Sequence, residues 1–146
     1  MKNLMILSGG FDPIHMGHVY MIQAASLVGD IVICLNSDDW LIRKKGKPFM
    51  SWIERATIVG NMKYVIDVLP MNDDDDSACD GIESAYTKYK KKYDMIYFGN
   101  GGDKNPVSTP GKEQELCKQL GIGLVWELGG TTKVQSSNWS LDQQGQ

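Results

Sequence analysis

Leu4-Met5-Ile6-Leu7-Ser8-Gly9-Gly10-Phe11-Asp12-Pro13-Ile14-His15-Met16-Gly17-His18 passes from an apolar run through a glycine turn to two histidines three residues apart. Residues 19–27 then read as a helix, so the order is strand, glycine turn, helix. Backbone N–H groups in the first turn of a helix have no intrahelical partner, and the helix dipole adds partial positive charge there. Glycine at positions 9, 10 and 17 lets a phosphate approach that backbone closely. Imidazoles at i and i+3 share a face and can address one anion. His15 and His18 are therefore candidates for phosphate chemistry, with Phe11 expected to pack and Asp12 to brace the turn.

The same alternation continues outward. Strands are expected over residues 3–7, 31–35, 64–69, 95–98 and 123–126, and helices over 17–28, 51–62, 78–92 and 111–120. Ser51 followed by Glu54 fits a capping box at the start of the second helix. Short apolar strands alternating with helices predict an α/β chain: a Rossmann-like, doubly wound, five-stranded parallel sheet with helices on both faces and right-handed crossovers. Such sheets bind ligands at the carboxyl ends of their strands, where strand order reverses. The His15/His18 turn, residues 36–47, 99–104 and 129–138 all fall at such ends. One domain is expected over 1–141, followed by a polar tail, 142–146.

Composition narrows the class. The 146 residues are 42% hydrophobic and 23% charged, ordinary for a globular domain, with a formal net charge of −3. That charge argues against nucleic acid or a membrane surface as partner. No apolar run approaches the ~20 residues needed to span a bilayer. Met1-Lys2-Asn3 leads straight into a short apolar run and glycines, unlike a signal peptide. Cys34, Cys79 and Cys117 are odd in number and far apart, which fits inert core thiols in a reduced, cytoplasmic setting. The four consecutive aspartates within residues 72–76 read as a solvated loop, and the lysines and tyrosines of 86–93 as the wet face of a helix.

His15 and His18 are the only histidines, and no third ligand of the expected kind lies near them, which disfavours a zinc site. Arg43 to Lys47 form a basic stretch beside the proposed phosphate site. Arg55 reads as a surface ion-pair residue near Glu54. Gly99-Asn100-Gly101-Gly102-Asp103 allows backbone approach to a base or ribose, with Asp103 as an acceptor. No G-x-S-x-G or paired Cys/His nucleophile is present.

Gly10-Phe11-Asp12-Pro13 with His15-Met16-Gly17-His18 resembles the G-x-F-D-x-x-H-x-G-H signature, containing HxGH, of the nucleotidylyltransferase superfamily with a cytidylyltransferase-like fold. Asn36-Ser37-Asp38, the basic 43–47 stretch and Glu54-Arg55 fall where that family has such residues. The nearest likenesses are glycerol-3-phosphate cytidylyltransferases and heptose-phosphate adenylyltransferases. Gly101-Gly102-Asp103 resembles their G-G-D or G-D-D element, and Ser136-Ser137 their I-S-T-T element, whose hydroxyls bind phosphate at a helix start.

The resemblance implies an enzyme that moves a nucleoside monophosphate from CTP or ATP onto a phosphorylated small alcohol or sugar and releases pyrophosphate. His15 and His18 would hold the triphosphate and the transition-state oxygens. Lys44, with Lys45 or Lys47, would approach from a mobile loop. Lys45 and Arg55 would contact phosphate, while Gly9, Gly10, Phe11, Asp12, Gly17, Gly99, Asp103, Ser136 and Ser137 would bind the nucleotide. Mg2+ would bridge phosphate oxygens without a protein-built metal site. Homodimers occur in this group, so a homodimer is one implied state. Where glycerol-phosphate cytidylyltransferases carry an arginine before the Ser/Thr element, this chain has Gly129-Gly130-Thr131-Thr132-Lys133, which leaves CTP and ATP both open. Residues 105–112 read as an insertion near the substrate pocket. The alternatives are an adenylyltransferase making an ADP-sugar or dinucleotide cofactor, and a non-catalytic nucleotide-binding module.

Overall fold

A computed structural model describes residues 2–101 and 111–129. Expectations on Asp103, Ser136, Ser137, Lys133 and the tail lie outside the described residues, as does most of the 105–112 segment. The elements are β1 (Asn3–Gly9), α1 (Met16–Ser26), β2 (Asp30–Leu35), α2 (Asp38–Lys45), α3 (Trp52–Gly60), β3 (Val65–Pro70), α4 (Cys79–Tyr89), β4 (Met95–Gly101), α5 (Gly111–Leu120) and β5 (Gly123–Leu128). The strands form one sheet in the order β3-β2-β1-β4-β5, and every pairing is parallel. Strand order reverses between β1 and β4, so their carboxyl ends diverge and open a crevice.

The period of two along each strand divides the core. Leu4 and Ile6 of β1, with Val32 and Cys34 of β2, face α4 and α5 and pack on Ile82, Ala85 and Cys117. Met5 and Leu7, with Ile31, Ile33 and Leu35, face the other way onto Ile22 and Ala25 of α1 and Val59 of α3. Both central strands are therefore apolar on both faces, as a doubly covered parallel sheet requires. Gly99 lacks a side chain for a packing reason: a Cβ there would sit 2.8 Å from Leu7 Cδ2 and from Met5 Sδ. Cys34 and Cys117 are fully buried, and burial pushes both thiols up to about 12.

Four local expectations need correction. β3 begins at Val65 because Tyr64 lies at φ +77°, outside the extended region. The basic stretch near residue 44 is not a loop: Arg43, Lys44 and Lys45 form the last turn of α2. The acidic run is not wholly solvated, because Asp73 is 1% exposed and Asp75 accepts from the Ser77 N–H and hydroxyl. The 86–93 segment is likewise not only a wet face: Tyr89 is buried, donating to Asp67, and Tyr93 donates to Asp30.

Candidate active site

The β1–α1 turn is built by its two histidines. His15 is the N-cap of α1, with extended backbone, and its Nδ1 accepts the Gly17 N–H at 3.0 Å. His18 reaches back, its Nδ1 accepting the His15 N–H at 3.1 Å. This is a capping box in which imidazoles do the work usually given to Ser/Thr and Glu. The rings stack at 3.9 Å between centroids, and Phe11 lies against His18 at 4.6 Å. Phe11 is 3% exposed and holds φ +51°, a left-handed conformation that its burial under the histidines maintains.

Because both Nδ1 atoms accept, the hydrogen-bond network assigns the neutral Nε2–H tautomer to each ring. Burial, reinforced by the neighbouring His15, pulls the His18 pKa down to about 3. Burial lowers His15 as well. At neutral pH the turn thus offers two neutral N–H donors and a helix N-terminus, and the pair forms without mutual charge repulsion. Gly17, buried in the first turn of α1, supplies one of the capped amides.

Asp12 is a brace. Its carboxylate accepts the Phe49 N–H at 2.7 Å and the Met50 N–H at 2.9 Å and pairs with Lys45 Nζ at 2.7 Å. Burial pushes this carboxyl up, but the Lys45 ammonium and the two amides outweigh it and hold its pKa below the ordinary carboxylate value. Lys45 also donates to the Asp12 carbonyl and lies over the Phe49 ring. Asp12 and Lys45 thus form an ion pair that fastens residues 45–50 to the turn.

Arg55 departs from the surface reading. It is 0% exposed, and its ion pair is with Asp38 at 2.7 Å rather than with Glu54. Its Nη1 donates to the carbonyls of Gly10 at 2.9 Å and Asn36 at 2.8 Å, and its Nε to that of Met50 at 3.1 Å. The guanidinium fork thus ties the glycine turn, the end of β2 and the start of α2 to α3, and its donors are directed at protein atoms. Glu54 instead closes the capping box on Ser51.

Helix α2 carries the remaining cation into place. Ser37 caps it, accepting the Trp40 N–H at 3.0 Å and donating to Asp73 Oδ1 at 2.6 Å. Asp73 also accepts from the Ser37 N–H and from Asn36 Nδ2. Burial raises the Asp73 carboxyl, but these Ser37 and Asn36 donors outweigh it and hold the pKa below its ordinary value. Lys44 lies over Trp40 at 4.6 Å from the ring centroid and lines a cleft of about 330 Å³ with Gly9, Gly99 and Asn100. A larger groove of about 740 Å³ lies at the far end of α1, away from the carboxyl ends of β1 and β4. Lys47 is exposed beyond the end of α2.

The structure therefore brings together Gly9, Gly10, Phe11, Asp12, His15, Gly17 and His18 in one turn, with Lys44 and Gly99 beside Gly9. A Cβ at Gly9 would come within 3.1 Å of the Phe11 ring, and one at Gly10 within 3.0 Å of Leu41, so both glycines also serve packing. Asp73 escaped the sequence reading because nothing in a run of four aspartates marks which one turns inward. Helix α2 did have a signal: Ser37 before Asp38-Asp39, basic residues in the last turn, then Gly46 at φ +86°. Among the described residues no group of three or more His, Cys, Asp or Glu side chains is arranged to hold a metal ion. The imidazole Nδ1 atoms are already engaged, so these residues do not fit a resident divalent cation. No described helix is long and apolar enough to cross a membrane.

Comparison with known proteins gives the same picture. A family model described as cytidylyltransferase-like matches residues 6–122. Glycerol-3-phosphate cytidylyltransferase of Bacillus subtilis (strain 168) is 32% identical over 66 residues, 44% of this chain and 51% of that protein. The bifunctional protein HldE of Geotalea uraniireducens (strain Rf4) is 35% identical over 115 residues, 77% of this chain and 21% of that protein. The chain thus matches about half of one relative and about a fifth of the other. Among solved structures, the lipopolysaccharide core biosynthesis protein of Thermoplasma volcanium GSS1 superposes with a TM-score of 0.59 at 19% identity, covering 87% of this chain and 94% of that one, which shows a shared fold.

Proposed function

The chain belongs to the cytidylyltransferase-like family, and from that premise we propose that it is a nucleotidylyltransferase that transfers the nucleoside monophosphate of CTP or ATP to the phosphate of a small phosphorylated alcohol or sugar. An oxygen of the acceptor phosphate attacks the α-phosphorus. The bond between that phosphorus and the α–β bridging oxygen breaks, and pyrophosphate leaves with the electron pair. The acceptor phosphate is already ionised at pH 7, so no strong general base is required.

What the protein must supply is alignment of two anions and stabilisation of charge in the in-line transition state. The interlocked His15/His18 pair at the N-terminus of α1 is the observation that carries the reading. Its two Nε2–H donors, with the helix N-terminus, hold oxygens of the triphosphate, and Lys44 adds positive charge from the cleft side. Magnesium brought in with the nucleotide would supply further neutralisation of phosphate charge.

The test is pyrophosphate release with CTP or ATP, each with magnesium, across a panel of phosphorylated alcohols and sugars. Release that requires one nucleotide and one acceptor supports the assignment. His18→Ala is expected to lower kcat by at least about 100-fold while circular dichroism stays unchanged, since an oxyanion-type donor contributes roughly that much. Near wild-type turnover in that variant refutes the assigned role.

A further inference from the structure

The cleft beside Lys44 holds a second, unassigned polar group. It is bounded by the ends of β1 and β4, by α2, and by the first turns of α4 and α5. Asn100 of β4 lines it, is 8% exposed, and has no hydrogen-bond partner at Nδ2. Buried amide donors are nearly always satisfied, and leaving one unmade is unfavourable. An orphaned donor in the wall of a ligand cleft is the exception that a ligand oxygen would resolve.

We propose that Asn100 is a specificity-determining residue whose Nδ2 donates to a hydroxyl oxygen on the non-phosphate part of the acceptor, an inference that rests on the transferase reading. The placement favours the acceptor over the nucleotide. The α1 N-terminus engages the triphosphate from the sheet face covered by α1 and α3. Met21 of α1 borders the cleft, but Met71, Ser77, Ala78 and Glu113 wall it from the face covered by α4 and α5, and it reaches the same turn at Gly9. The wall chemistry favours a hydroxyl over a second anion. The carboxylates of the wall are engaged: Glu113, 8% exposed, accepts the Ala78 N–H at 2.8 Å, and Asp76 takes the Arg43 guanidinium. Among the described residues Lys44 is the cation that lines the cleft and can receive the acceptor phosphate, since Arg43 pairs with Asp76 at 3.0 Å. A neutral amide can satisfy a hydroxyl without introducing charge into that wall.

The experiment compares wild type, Asn100→Ala and the isosteric Asn100→Asp in the pyrophosphate assay. Glycerol 3-phosphate and hexose 1-phosphates are set against deoxy counterparts such as propyl phosphate and 2-deoxyhexose 1-phosphates. The acceptor KM is expected to rise about 10- to 100-fold in both variants, with the nucleotide KM within about twofold of wild type. The wild-type preference for the hydroxylated acceptor over its deoxy form should collapse in Asn100→Ala, a change that mere loosening of the fold does not produce. Asn100→Asp keeps the shape and replaces the donor with an acceptor, so the comparison stands if the alanine variant does not fold. Wild-type turnover with unchanged acceptor KM in the variants, or a shift in the nucleotide KM instead, overturns this inference alone. Absence of pyrophosphate release from the wild type with every pair overturns the transferase reading and this inference with it.

Discussion

His15 and His18 show how a side chain can serve fold and chemistry with different atoms. Each ring uses Nδ1 to close the helix N-terminus, and this fixes Nε2 as the nitrogen that carries the proton. The residue types and spacing were readable in the sequence, but the mutual capping and the stacking were not, because they depend on rotamers set by Phe11 beneath. Arg55 shows the opposite outcome. Its charge suggested a surface pair, whereas the fold encloses it completely among three carbonyls and Asp38. Removing the guanidinium leaves buried carbonyls without a donor, at about 1–3 kcal/mol per unsatisfied group, while Asp38, whose side chain is 42% exposed, returns to water. Arg55→Ala should therefore lower the unfolding free energy measured in urea by about 2–4 kcal/mol. Arg55→Lys should recover only part of it, since an ammonium cannot reproduce the planar fork. Unchanged stability in both variants would contradict the clamp.

Among the elements, α2 decides where Lys44 stands. An eight-residue helix is marginal in isolation. Its first turn is stabilised from outside by Asp73, which bonds Ser37 and Asn36, and by Arg55, which holds Asp38. The β3–α4 segment thus acts on the cleft through α2 as well as by lining it with Met71, Asp76 and Ser77. Ser37→Ala removes the cap on the Trp40 N–H and one donor to Asp73. It should cost about 1–2 kcal/mol in chemical denaturation, with the slope unchanged, and should raise the KM for nucleotide or acceptor as Lys44 loses its fixed position. A variant with wild-type stability would show that the cap is dispensable.

For the molecule as a whole, acid should act in two stages. The folded state depresses the pKa of His18 to about 3 from an ordinary 6.5, so the unfolded chain binds the extra proton first. The stability this preserves is complete above about pH 6.5 and is lost as pH falls through the window below it, by up to about 1.4 kcal/mol per pH unit. Asp12, Asp67 and Asp73 are also depressed, here from 3.8. Burial opposes that shift in each, and the Lys45, Lys88 and Ser37 hydrogen bonds respectively outweigh it. Their contribution is present above pH 3.8 and lost below it. Urea midpoints measured from pH 8 to pH 3 should therefore begin to fall near pH 6.5, and the His18 ring signals should not titrate between pH 8 and 5; titration near 6.5 would contradict the buried neutral pair. The sequence by itself determined the parallel α/β alternation, the two-faced apolar strands and the histidine turn, because strand period, glycine and capping chemistry are local properties. Only the tertiary structure decided that Lys45, Arg55 and Asp73 join Asp12 in bracing the site and that Asn100 lines the cleft beside Lys44. Which charges pair and which amide is left unpaired depend on side chains brought together from separate strand ends, and no local spacing encodes that meeting.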